Sequence, residues 1–139
     1  MGRILGVDLG SRRIGIALSD PGGVIASPLA TIERSGDAER DRRAIVAMAV
    51  EHEARTVVVG LPREMSGRLG PAAKAARAEV LALEAMESGI EFALVDERLT
   101  TVIAERSMVG AGAKRGERRR KIDQVAAAVI LQSYLASRA

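Results

Sequence analysis

The sequence predicts an α/β protein, in which a strand meander leads into strand–helix repeats sharing one sheet. Three observations carry this. Two apolar runs, one from Arg3 to Leu9 and one from Arg13 to Asp20, flank Gly10-Ser11-Arg12 and read as a hairpin. A β-branched run from Thr56 to Pro62 shows no alternation, which fits a strand covered on both faces. Beyond the third strand, helical and extended stretches alternate, the order expected of right-handed parallel crossovers.

The elements follow in turn. Pro21-Gly22-Gly23 is a turn, and Val24–Ile32 reads as a third strand, with Pro28 marking an edge or a bulge. Residues 37–54 place Ile45, Met48, Ala49 and His52 at helical spacing among charged residues, an amphipathic helix. His52, the single histidine, lies at its end and reads as a surface or boundary residue. After the strand at 56–62 comes a polar loop from Arg63 to Gly70. Pro71 opens the next helix, whose apolar face is Ala72, Ala76, Val80 and Leu83, and Gly89 ends it. Ile90–Val95 is a fifth strand closing in Asp96-Glu97-Arg98. Thr100 or Thr101 caps a further helix to about Val109. A last helix is expected from about Lys121 to Ala136, buried through Ile122, Val125, Ala126, Val129 and Ile130. Asp123 lies on the flank of that stripe near the helix start.

Composition narrows the function. A chain of 139 residues, 47% hydrophobic, suits one domain spanning 1–139 with a proper core. The two aromatic residues, Phe92 and Tyr134, leave almost no platform for stacking single-stranded bases. With no Cys there is no disulfide and no thiol nucleophile, and a lone His argues against zinc. Met1 leads into a strand rather than a signal region, and no apolar run spans a bilayer, so a cytoplasmic protein is expected. Lys114, Arg115, Arg118, Arg119, Arg120 and Lys121 against Glu117 give one segment a charge of +5. The whole chain carries +3, so the remainder is net acidic by two. This Gly-bearing segment reads as a basic loop suited to a polyanion.

In parallel sheets, ligands collect beyond the carboxyl ends of the strands. Asp8 and the Asp96-Glu97 pair both fall at such ends, and Asp123 is a third carboxylate that can join them. As a first-turn acid it would instead serve the helix dipole. An oxygen-only donor set suits hard cations such as Mg²⁺ or Mn²⁺.

Gly6-Val7-Asp8-Leu9-Gly10-Ser11, Val59-Gly60-Leu61-Pro62, Val95-Asp96-Glu97-Arg98-Leu99-Thr100-Thr101 and Ile122-Asp123-Gln124-Val125-Ala126-Ala127 resemble the motifs of the YqgF (RuvX) family. Its members are regarded as pre-16S rRNA nucleases and Holliday-junction-resolvase-like proteins. The resemblance spans essentially the whole chain. It implies an RNase H-like fold with a five-stranded mixed sheet in the order 3-2-1-4-5, flanked by helices. It also implies hydrolysis of nucleic acid with two Mg²⁺ or Mn²⁺ ions, catalytic Asp8, Glu97 and Asp123, and Asp96 as an alternate metal ligand. Arg98 would neutralise the acids. RuvC resolvases carry an acid on the fourth strand and two on the last helix, where this chain has the run ending at Gly60 and Asp123 alone.

Four functions compete. The first is an endonuclease maturing the 5′ end of 16S rRNA, with Ser11, Arg12, Arg63, Lys114, Arg115, Arg118, Arg119, Arg120 and Lys121 contacting nucleic acid. The second is the same chemistry on a DNA four-way junction, which needs two symmetric cuts and hence a homodimer rather than a monomer. The third is a non-catalytic RNA-binding assembly factor. The fourth is an ATP-binding module of the actin/hexokinase type, suggested by Asp8-Leu9-Gly10-Ser11 but requiring two such domains.

Overall fold

The structure, a computed structural model, describes residues 2–61, 70–86, 89–96 and 115–138. Its sheet has five strands in the order β3-β2-β1-β4-β5, as expected. The strands are β1 (Arg3–Leu9), β2 (Arg13–Ser19), β3 (Ala26–Glu33), β4 (Ala54–Leu61) and β5 (Glu91–Asp96). The first three pair antiparallel, and β4 and β5 extend the sheet in parallel with β1. The helices are α1 (Ala38–Glu51), α2 (Pro71–Met86) and α3 (Arg115–Ser137).

Local chemistry explains the element ends. The Gly10 N–H donates to the Arg13 carbonyl across the β1–β2 turn, and the Arg34 Nε–H donates to the Gly10 carbonyl at 2.9 Å. Pro28 stands on the edge strand where the β2–β3 register shifts, so its missing N–H removes no central ladder bond. The Asp37 carboxylate caps α1 by accepting from the N–H groups of Glu39 and Arg40. His52 is the C-cap of α1, a boundary residue as expected, and Glu53 (φ 57°) takes the left-handed step that returns the chain to β4.

The sheet has two different faces. Leu5, Val7, Ile14, Ile16, Val57 and Val59 form one core with Ile45 and Ala49 of α1 and Val80 and Leu83 of α2. Ile4, Ala17 and Val58 form the other with Ala126, Ala127, Ile130, Leu131 and Leu135 of α3. Val57, Val58 and Val59 are fully buried, so β4 is covered on both sides as its unbroken apolar run predicts.

Two expectations about the last helix need correction. It begins at Arg115, not near Lys121, so the basic segment from Arg115 onward is its first turns rather than a loop. Arg and Lys are good helix formers, and Glu117 stands four residues before Lys121, so nothing after Gly116 breaks the turn. The buried stripe is also rotated. Ala126, Ala127, Ile130, Leu131 and Leu135 are buried, whereas Ile122, Val125 and Val129 are half-buried. The helix takes this phase because α3 lies close against glycines of the sheet. A Cβ on Gly6 would stand 2.8 Å from Leu131 Cβ and 2.9 Å from the Ala127 carbonyl oxygen. The helix expected between Thr100 and Val109 and the loop from Arg63 lie outside the described residues.

Candidate active site

Asp8 is the next-to-last residue of β1 and is only 6% exposed. It shares a sheet face with Ile4 and Gly6, by the period of two, and so looks toward α3. Its antiparallel partner is Gly15. One residue beyond the bridged pair Val7–Val59, Asp8 also stands level with Gly60 of β4. A buried carboxylate at a strand's carboxyl end is thus flanked on both sides by glycine. This leaves lateral room on an otherwise packed sheet.

Gly15 decides what enters that room. A Cβ there would fall 2.0 Å from the Asp123 carbonyl oxygen, 2.4 Å from its carbonyl carbon and 3.1 Å from its Cβ. The backbone of α3 therefore rests on Gly15, and Asp123 is delivered beside Asp8. Counting back from the buried stripe, 123 precedes Ala127 by four residues and Ala126 by three. It occupies the sheet-facing side of the helix, not the flank. It also lies eight residues into α3, past the first turn, so service to the helix dipole is not its role. Arg13, on the same face of β2 as Gly15, donates from Nε to Asp123 Oδ2 at 2.8 Å. The two side chains are 20% and 17% exposed, a largely shielded pair.

The parallel pairing of β1, β4 and β5 sets the end of β5 on the same side of the sheet as Asp8. Asp96 closes β5, opposite Leu61. Glu97 and Arg98 lie outside the described residues, as do Arg63 and Lys114. Among the described residues, Asp8 and Asp123 are the carboxylates brought together, and no set of three metal-ligating side chains is complete. The pair fits a hard divalent cation: both donors are carboxylates, one is buried, and Gly15, having no side chain, puts no competing group between them.

Several of the predicted nucleic-acid contacts gather at the same end. Ser11 and Arg12 are exposed in the β1–β2 turn, and Arg120 and Lys121 are exposed on α3. The Arg120 carbonyl accepts from the Thr31 hydroxyl at 3.1 Å, and the Arg120 guanidinium lies 3.6 Å from Glu33 at the end of β3. Arg115, Arg118 and Arg119 occupy the turns of α3 before it. Sequence reasoning missed Arg13, Gly15 and Gly60. The first two were within reach, since a turn closed from Gly10 to Arg13 pairs Asp8 with Gly15 by simple counting.

The chain is similar to known proteins over its whole length. The RuvX family model, described as "RuvX: Holliday junction resolvase", matches residues 2–137. A relative from Mycobacterium sp. (strain KMS), named "Putative pre-16S rRNA nuclease", is 46% identical over 137 residues, covering 99% of this chain and 81% of the relative. Among solved structures, T. thermophilus RuvC bound to a Holliday junction substrate superposes with a TM-score of 0.58 at 16% identity, over 99% of this chain and 96% of that one. The yeast mitochondrial Holliday junction resolvase gives 0.54 at 12% identity, over 96% and 78%. These likenesses show an RNase H-like fold, and the sequence match shows the lineage within it: the chain belongs to the RuvX family.

Proposed function

We propose that this protein is a divalent-metal-dependent endonuclease that cuts a nucleic-acid backbone, with pre-16S rRNA near its 5′ end as the substrate. The observation that carries the reading is the seating of Asp123 on Gly15, directly across from Asp8, at the carboxyl end of β1. Asp8 and Asp123 hold the metal together with an acid following β5. Of the two acids there, Glu97 is preferred for its reach, with Asp96 as the alternate ligand. Two strand spacings, about 10 Å, separate β1 from β5, a gap that suits the longer glutamate. Bound in this cluster, two Mg²⁺ or Mn²⁺ ions supply an activated water and a stabilised leaving oxygen to a phosphodiester. Ser11, Arg12, Arg120 and Lys121 line the approach at that end of the sheet, and Arg63, Lys114, Arg115, Arg118 and Arg119 are further candidate contacts. They contact phosphates rather than bases, in keeping with the scarcity of aromatic side chains.

A second reading, resolution of four-way DNA junctions, draws on the family's description and requires two copies acting symmetrically. One experiment separates the two. A labelled pre-rRNA 5′ fragment and a DNA four-way junction are incubated with Mg²⁺, Mn²⁺ or chelator, with Asp8→Asn in parallel. Metal-dependent cleavage of the RNA, lost in the variant, is the expected result. Cutting of the junction instead moves the substrate to DNA. Binding without cleavage of either leaves an assembly factor.

A further inference from the structure

We propose that Arg13 is a positioning residue for the metal site, fixing the Asp123 carboxylate so that its second oxygen faces the cation; this rests on the metal-site reading above. Asp123 lies on the sheet-facing stripe of α3, one turn before buried Ala126 and Ala127. A carboxylate there, left unpartnered, would be costly to desolvate and free to change rotamer. Arg13 answers both problems. Its Nε–H, 2.8 Å from Oδ2, forms a charge-assisted bond that holds one carboxylate oxygen and leaves Oδ1 to a cation. Carboxylates that ligate metals are commonly held in this way by an outer hydrogen bond, and loss of such a partner lowers metal affinity about 10- to 100-fold.

The backbone explains why Arg13 can do this. It is the first residue of β2, two before Gly15, and so stands on the same face as the glycine that seats Asp123. The turn preceding it is tied twice, by the Gly10 N–H to the Arg13 carbonyl and by Arg34 to the Gly10 carbonyl. The guanidinium therefore springs from a fixed point. Its positive charge also offsets repulsion between Asp8 and Asp123 before a cation arrives. A planar guanidinium offers an Nε–H in a set direction, which the ammonium of lysine does not.

The test is calorimetric titration of Mn²⁺ into the full chain, without nucleic acid. Arg13→Gln is expected to weaken binding about 10- to 100-fold with the fold retained by circular dichroism. In an Asp123→Asn background the same substitution is expected to change affinity no further, since Arg13 acts through Asp123. Should the glutamine variant fail to fold, Arg13→Lys carries the same comparison, with a loss in the same direction. Unchanged or tighter binding on removing Arg13, or an equal loss in both backgrounds, overturns this role while leaving the metal site standing. A wild-type chain that binds no Mn²⁺ overturns the metal-site reading itself, and this role with it.

Discussion

Gly15 is where a single missing methyl group governs the site. The Asp123 carbonyl would meet an added Cβ at 2.0 Å, and that obstacle is helix backbone rather than a yielding side-chain tip. Gly6 presents a milder case, with Leu131 Cβ and the Ala127 carbonyl at 2.8 and 2.9 Å. Overpacking of a close-packed interior typically costs about 1–3 kcal/mol and occasionally more. Gly15→Ala should fall at or beyond the top of that range and Gly6→Ala within it, as read from urea midpoints. The surviving folded Gly15→Ala protein should also bind Mn²⁺ more weakly, because α3 must lift and carry Asp123 away from Asp8. If it matched the wild type in both stability and metal affinity, the close seating of α3 on β2 would be wrong.

At the scale of elements, α3 joins two kinds of chemistry on one rod. Its 23 residues run about 34 Å at 1.5 Å per residue. The later turns bury Ile130, Leu131 and Leu135, while the basic run from Arg115 to Lys121 makes up the first turns. A helix holds cations in a fixed array that a loop would not, so the array can follow phosphates at low entropic cost. The Arg120–Glu33 pair is long and exposed on both sides, so it holds Arg120 only loosely. The double change Arg120→Gln with Lys121→Gln should weaken binding to duplex RNA regardless of sequence. It should also reduce the slope of log affinity against log salt by about 2, since each cation removed leaves roughly one phosphate to its counterions. Fluorescence anisotropy at several salt concentrations measures this, and an unaltered slope would remove these two residues from the interface.

Across the whole molecule, the face opposite α3 is tied together by α1 and α2. Arg42 reaches Glu79 at 2.7 Å, and this hydrogen-bonded carboxylate raises the guanidinium's proton affinity further. Asp41, buried at the start of α1, accepts from the Ser35 hydroxyl at 2.7 Å and the Ser35 N–H at 3.1 Å. The hydroxyl bond is the main cause holding its carboxyl below the ordinary value of 3.8. Asp20 is held down likewise, by the N–H of Ile25 first and then that of Val24. In each case the folded chain keeps the carboxylate ionised to lower pH than the unfolded chain does. The stabilisation is therefore fully present above about pH 4 and is lost as pH falls below 3.8 through the folded value. Asp41→Asn should lower stability at pH 7, and the gap from wild type should narrow below pH 4. Urea denaturation at a series of pH values reads this directly, and a gap independent of pH would detach Asp41 from the acid limb.

Local signals sufficed for much of this protein. The hairpin, the doubly covered β4, the amphipathic α1, the proline-led α2 and the irregularity at Pro28 each follow from turn chemistry and periodicity within a few residues. Asp8 was legible as a candidate because a carboxylate in an apolar run is costly unless it has a task, and Asp123 because Ile122-Asp123-Gln124-Val125-Ala126-Ala127 resembles a family motif. The phase of α3 was not legible. Apolar pattern favours Ile122, Val125 and Val129 for the core, yet the close approach of α3 to Gly6 and Gly15 turns Ala127 and Leu131 inward and Asp123 with them. Only the tertiary structure decided that phase, and with it the meeting of Asp8, Asp123 and Arg13. A helix's rotation is set by the surface it packs against, and that surface is drawn from strands more than a hundred residues earlier in the chain.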